Sequence, residues 1–253
     1  MQYPKQPVMI PVTAEEVLRR RMRILVTSAL TLALAAGAIG FAYKRSVDGI
    51  HARESYESGM RLLGIANYSQ AVLSFDRAVG LKPDFGEAYL MRGKAYAGDS
   101  KTDAAIRDFT RAVELNPKDP RAWVARGSAL LDLKKYPEAM ADAGRAMELD
   151  GRLAAAYNLR GLALRATGNS RRAIVDFNHA VELEPNEDNY YQCAATYQSL
   201  GEHALAITAL NRAIAIRPDA PPGYLARAES RRAIGDFEGA RMDEERAAQI
   251  EGR

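Results

Sequence analysis

Residues 86–119 read GEAYLMRGKAYAGDSKTDAAIRDFTRAVELNPKD, and this stretch decides the fold because the chain repeats it. Two apolar patterns of helical spacing flank a short polar turn within it. Equivalent segments end at Pro83, Pro117, Gly151, Pro185, Pro218 and Gly252, with spacings of 34, 34, 34, 33 and 34 residues. Six units follow, at 52–85, 86–119, 120–153, 154–186, 187–220 and 221–253. A fixed period of this size marks an array of helix pairs whose apolar faces are buried only by stacking on their neighbours.

Particular positions within the unit narrow this further. Position 4 is aromatic in Tyr89, Trp123, Tyr157, Tyr190 and Tyr224, with Ser55 in the first unit. Position 8 is small in Gly59, Gly93, Gly127, Gly161, Ala194 and Ala228. Positions 20 and 27 are Ala in every unit, and position 24 is Phe75, Phe109, Ala143, Phe177, Leu210 and Glu244. These units resemble the tetratricopeptide repeat. The resemblance implies an all-α, right-handed solenoid of six helix-turn-helix units. Small residues at 8 and 20 are expected to face each other where the two helices cross. Proline ends the second helix of four units by disfavouring helix at the preceding residue, and Gly151 and Gly252 are expected to end the others. Asp243-Glu244-Glu245-Arg246 makes the last helix polar, as a water-facing cap requires.

Position 7 is Arg92, Arg126, Arg160 and Arg227 in four units, and the same four carry Asp108, Asp142, Asp176 and Asp243 at position 23. The other two units have neither partner, with Ser58 and Ser74 in one and Cys193 and Ala209 in the other. This matching predicts intra-unit ion pairs that hold helix register. Pairing across neighbours would set Arg92 against Ser74. Because desolvation offsets the Coulomb gain, such pairs specify geometry more than they stabilise.

The 253 residues carry a formal charge of +3, with 35 basic and 32 acidic groups. Residues 1–43 hold five of the basic groups and two of the acidic ones, so the remaining 210 residues balance at 30 and 30. A neutral folded part argues against a nucleic-acid partner. Ile24–Tyr43 is 20 residues long and uncharged, enough to cross a hydrocarbon core of about 30 Å. The expected layout is a basic tail at 1–23, a transmembrane helix at 24–43, a linker at 44–51 and the repeats at 52–253. Thr13-Ala-Glu-Glu16 has the form of a capping box at the head of that helix. Arg19, Arg20, Arg21 and Arg23 precede the span, and Lys44 and Arg45 follow it. The positive-inside rule then places the N-terminus in the cytoplasm and the repeats outside it, in the periplasm of a bacterium. Ala36-Gly37-Ala38 also fits a cleavage site, which keeps signal-peptide removal open. Ala33-x-x-x-Gly37 and Ala36-x-x-x-Gly40 are spacings that allow two such helices to dimerise.

In the family, positions 2, 5, 9 and 12 of the first helices line a concave groove that receives a peptide or partner helix. Carried onto this chain, the groove comprises Tyr56, Met60, Leu63, Leu90, Lys94, Val124, Leu131, Asn158, Arg165, Tyr191, Gln198 and Arg232. Its first half is apolar and its second half polar. The Lys and Asn clamp of chaperone-binding members is missing, since position 5 is never Lys. No catalytic constellation, phosphate-cradling loop or paired histidine motif occurs, and one cysteine and three histidines leave no material for a metal cluster. The chain therefore reads as a non-enzymatic, cofactor-free, membrane-anchored scaffold or assembly factor that binds protein. The alternatives are a substrate-recruiting subunit with catalysis in trans, an organelle import receptor, and a structural protein stacking end to end.

Overall fold

A computed structural model describes the backbone of residues 14–252 and the side chains of residues 22, 23, 26, 31 and 35–252. Twelve helices account for the described chain: α1 (Ala14–Gly64), α2 (Tyr68–Leu81), α3 (Gly86–Gly98), α4 (Thr102–Leu115), α5 (Pro120–Asp132), α6 (Tyr136–Leu149), α7 (Ala154–Ala166), α8 (Ser170–Leu183), α9 (Glu187–Ser199), α10 (His203–Ile216), α11 (Pro221–Ala233) and α12 (Phe237–Glu251). No strand occurs among the described residues. Each odd-numbered helix packs on the even one that follows, and each even one on the next odd one, so the core is a chain of nearest-neighbour interfaces. Its largest cluster joins the first three units around Phe75, Leu90, Met91 and Phe109, and a second surrounds Leu164, Phe177 and Leu210.

Two boundaries differ from expectation. The stretch 44–51, expected to be a linker, is helical, and α1 runs unbroken for 51 residues. No proline interrupts it, and Arg45 pairs with Asp84 at 3.5 Å, tying the upstream part of the helix to the turn after α2. The capping-box residue Thr13 lies outside the described residues. So do nine of the twenty side chains of the expected span 24–43. Among the described residues no helix is long and apolar enough to cross a membrane.

The turn between the helices of every unit places its fifteenth residue in the left-handed region. That residue is Ala66, Ser100, Lys134, Gly168, Gly201 and Gly235 in succession, with φ of 55°, 58°, 59°, 80°, 74° and 85°. Three units thus use glycine where only glycine is free of a steric cost, and three do not. Gly151 and Gly252 do follow helix ends, but neither has positive φ, so they stop their helices without a left-handed cap.

The helix crossing also differs in detail. A Cβ built on Gly93 would lie 2.6 Å from Phe109 Cε1, and one on Gly59 or Gly161 would meet Phe75 at 2.6 Å or Phe177 at 2.7 Å. Position 8 therefore faces the aromatic at 24 more closely than the alanine at 20. Where Ala143 replaces that aromatic, Leu159 of the next unit reaches in instead, 2.5 Å from the Cβ site of Gly127.

Candidate functional site

The four Arg and Asp partners are brought together as bidentate pairs. Arg92 donates from Nε and Nη2 to the two oxygens of Asp108, both at 2.7 Å. Arg126 and Asp142 meet at 2.8 and 2.7 Å, and Arg160 and Asp176 at 2.8 and 2.6 Å. Arg227 and Asp243 meet at 2.9 and 2.6 Å. The four carboxylates are buried while the guanidinium groups keep partial exposure. Hydrogen bonding to these carboxylates holds Arg92, Arg126 and Arg160 above the ordinary arginine range. The aromatic at position 4 stacks on the same cation, with Trp123 at 4.9 Å from Arg126 and Tyr89 at 5.2 Å from Arg92.

Sequence reasoning missed a third contact. Arg92 Nη1 reaches back to Asp76 Oδ1 at 2.7 Å, and Arg227 Nη1 to Asn211 Oδ1 at 2.6 Å. Asp76 and Asn211 both occupy position 25 of the preceding unit, so these arginines tie units together as well as helices. The signal was the acceptor at position 25, which comparing positions 7 and 23 alone passes over. In the fifth unit, one of the two that lack the pair, Cys193 is buried with Sγ 3.4 Å from Asn178 Oδ1. Burial pushes its thiol up to about 12. A cavity of about 250 Å³ lies beside it, lined by Tyr190, Tyr197 and Ala209 among others.

The expected groove is only partly available. Tyr56 and Leu90 are 5% and 1% exposed and belong to the core, so neither offers much surface to a partner. The Tyr56 ring packs on Phe75 and Phe85, and burial together with Glu87 pushes its phenol up to about 12. Leu63, Val124, Leu131 and Tyr191 are half-buried against the core clusters. The polar half is spent on stacking. Arg165 donates to Gln192 Oε1 at 2.7 Å and to Thr196 at 3.2 Å in the next unit. Gln198 likewise donates to Ser230 at 2.8 Å and to the Ala226 carbonyl at 3.0 Å. Asn158 donates to Asn189, and Arg232 pairs with Glu244. Position 12 thus serves as an inter-unit clamp at Arg165 and Gln198, whereas Arg232 pairs within its own unit. Of the twelve positions, Met60, Lys94 and Arg232 are exposed, and Arg232 of these is held by Glu244. A cavity of about 150 Å³ is lined by Glu87 and Leu90 of α3, Asn116, Asp119 and Arg121. Arg53 approaches Glu87 at 3.9 Å, which gives this end of the face charges of both signs.

Nothing in this arrangement sets a nucleophile beside a base. Among the described residues no group of His, Cys, Asp and Glu is placed to hold a metal ion.

Tetratricopeptide-repeat family profiles match residues 90–154, 154–187 and 188–220, together more than half of the chain. The chain belongs to the tetratricopeptide repeat family. Comparison with curated proteins finds no match. Among solved structures, this tetratricopeptide-repeat protein is similar to MamA at 24% identity and a TM-score of 0.58, covering 63% of this chain and 94% of that one. It is similar to PilW, a type IV pilus biogenesis factor, at 20% identity and a TM-score of 0.72, covering 80% and 93%. YrrB, a repeat protein with an unusual peptide-binding site, aligns at 23% identity and a TM-score of 0.52, covering 67% and 88%. At these identities the likeness carries the tetratricopeptide fold and nothing finer.

Proposed function

We propose that the chain is a membrane-anchored interaction scaffold that binds a protein or peptide on the first helices of its early units. The observation that carries this reading is the mixed-charge cavity lined by Glu87, Leu90, Asp119 and Arg121, with Met60 and Lys94 exposed on the first helices of the first two units. An apolar contact flanked by charges of both signs suits a peptide better than a small metabolite. The peptide-binding site described for YrrB and the pilus biogenesis role described for PilW support the class of function, with no partner carried over. The anchor rests on the uncharged stretch Ile24–Tyr43 and its flanking arginines. A lipid bilayer is then the second partner, and the helix offers small-residue faces for homodimerisation. The repeats would lie outside the cytoplasm, and the continuous α1 would join anchor and array without a hinge.

Photocrosslinkers placed at Met60 and at Lys94 should capture a partner in native membranes, and one placed at exposed Phe237 should not. Equal capture from all three sites would sink the groove assignment. Alkaline carbonate should leave the chain in the membrane pellet, and protease added to spheroplasts should remove the repeats. Release by carbonate overturns the anchor, and protection from protease overturns the orientation.

A further inference from the structure

The repeats carry their own internal comparison, and two members depart from it: Arg126, where position 25 of the preceding unit is Thr110 and the side chain is 21% exposed, and the more open Arg160. In the second unit, the guanidinium of Arg92 holds two carboxylates at once, Asp108 on its own unit and Asp76 on the preceding one. In the sixth, Asn211 supplies the second acceptor for Arg227. In the fourth, Arg160 holds Asp176 in the same bidentate way, but position 25 of the preceding unit is Gly144. Arg160 Nη1 therefore has no acceptor among the described residues. Its side chain is 37% exposed, against 16% for both Arg92 and Arg227. A Cβ on Gly144 would meet no atom within 4 Å, so the space is open on that side. Arg160 also borders a cavity of about 470 Å³ whose rim includes Tyr157, exposed Val175 and His179.

We propose that this furrow is a second peptide-binding site, in which the side-chain carboxylate of an Asp or Glu from a partner protein takes the place that Asp76 fills in the second unit. The fold already shows that one guanidinium at this position donates to two carboxylates, and a planar fork favours carboxylate over other acceptors. Asp176 is paired with Arg160, and Glu182, 74% exposed, lies 3.2 Å from His179 Nδ1 on the rim. Tyr157 and Val175 offer apolar contact to the flanking residues of the peptide. The proposal deepens the scaffold reading and relies on it for the existence of a protein partner, but it uses a different face of the array.

The test uses the full chain in maltoside micelles, with the Arg160 side-chain nitrogen resonances as readout. The probes are acetyl-Leu-Asp-Leu-amide, acetyl-Leu-Asn-Leu-amide and acetyl-Leu-Asn-Leu with a free carboxyl end. The amidated Asp peptide should shift the Arg160 signals at millimolar concentration, and both Asn peptides should leave them in place. Gly144→Asp should supply the missing acceptor internally, shift the same signals without ligand, and weaken the Asp peptide by about tenfold or more. Gly144→Ala should leave its affinity unchanged within about twofold. Arg160→Lys should lose binding, read from the neighbouring backbone amides. Equal response to the Asp and Asn amides overturns the proposal, as does preference for the free carboxyl end. Undiminished binding in both Gly144→Asp and Arg160→Lys also overturns it. If these fail while crosslinks still form at Met60 and Lys94, this site falls and the scaffold reading stands.

Discussion

Gly93 and Phe109 meet so closely that a Cβ on the glycine would stand 2.6 Å from the ring. The contact joins α3 to α4 and recurs as Gly59 with Phe75 and Gly161 with Phe177. Replacing glycine by alanine within a helix ordinarily stabilises by about 0.5–1 kcal/mol. At Gly93 overpacking should outweigh that gain, giving a net loss of about 1–3 kcal/mol in Gly93→Ala. Gly144 is also helical but has nothing within 4 Å of its Cβ site, so Gly144→Ala should show the ordinary gain. Thermal melts of the two variants should move in opposite directions.

The solenoid was legible because its physics repeats. Alanine at position 20, glycine at 8 and the Arg and Asp columns each recur often enough to reveal the spatial register that one unit alone would hide. The groove was less legible. Tyr56 and Leu90 occupy groove positions by register, but the first interface needs bulk there and buries them. Arg165 and Gln198 read as ligand contacts because both are long and polar, and what uses them is the neighbouring unit, through Thr196 and Ser230. No periodic signal distinguishes a side chain offered to a partner from one spent on the next repeat. The left-handed turn position was visible in Gly168, Gly201 and Gly235, yet Ala66, Ser100 and Lys134 disguised the same requirement.

That turn supports a second prediction. Ser100 holds φ of 58°, a conformation that costs a residue with a Cβ about 1–2 kcal/mol. Ser100→Gly should recover part of this, a net gain of up to about 1 kcal/mol after the greater chain entropy of glycine. The converse, Gly168→Ala, should cost a similar amount, and because no atom lies within 4 Å of that Cβ site the loss is conformational alone. Chemical denaturation midpoints should rise for the first and fall for the second.

Acid sensitivity should be traceable to Asp119. Its carboxylate accepts from the Arg121 backbone N–H at 3.0 Å, capping α5, and from the Arg121 guanidinium at 2.8 and 2.9 Å. The Arg121 side chain holds Asp119 below the usual carboxylate range. A lowered folded-state value means the stabilisation is present above the ordinary aspartate pKa of about 3.9 and disappears as pH falls through the folded value. Asp119→Ala should therefore cost about 0.5–2 kcal/mol at pH 7. The gap between the variant and the parent should close in strongly acidic buffer, as read from denaturant midpoints across the pH range.

Cys193 should report unfolding. Its thiol is 2% exposed and pushed up to about 12 by burial, so little thiolate is available at pH 8. Iodoacetamide should react with the native chain far more slowly than with the same chain in urea. The raised value also favours the folded state below the ordinary thiol pKa of about 8.5, and that contribution declines as pH rises toward the folded value. Alkaline destabilisation should therefore be smaller in Cys193→Ala than in the parent, once the packing loss common to all pH values is subtracted.

The Arg126 and Asp142 pair allows register and stability to be separated, because Arg126 has no recorded hydrogen bond to the preceding unit. Asp142 is almost wholly buried, with 6% of its side chain exposed, while Arg126 keeps 21%. Asp142→Ala leaves a half-buried guanidinium without its counter-charge, which should cost about 3–5 kcal/mol at most. Replacing both partners by apolar residues of similar volume, as in Arg126→Met with Asp142→Leu, removes the stranded charge together with the pair. Such exchanges are often neutral or stabilising, so the double variant should be more stable than Asp142→Ala and should approach the parent. If the pair instead specifies how α5 lies on α6, the double variant should melt less cooperatively at similar midpoint, and amide exchange across α5 and α6 should quicken. A double variant that is both less stable than Asp142→Ala and fully cooperative would assign the pair a purely energetic role.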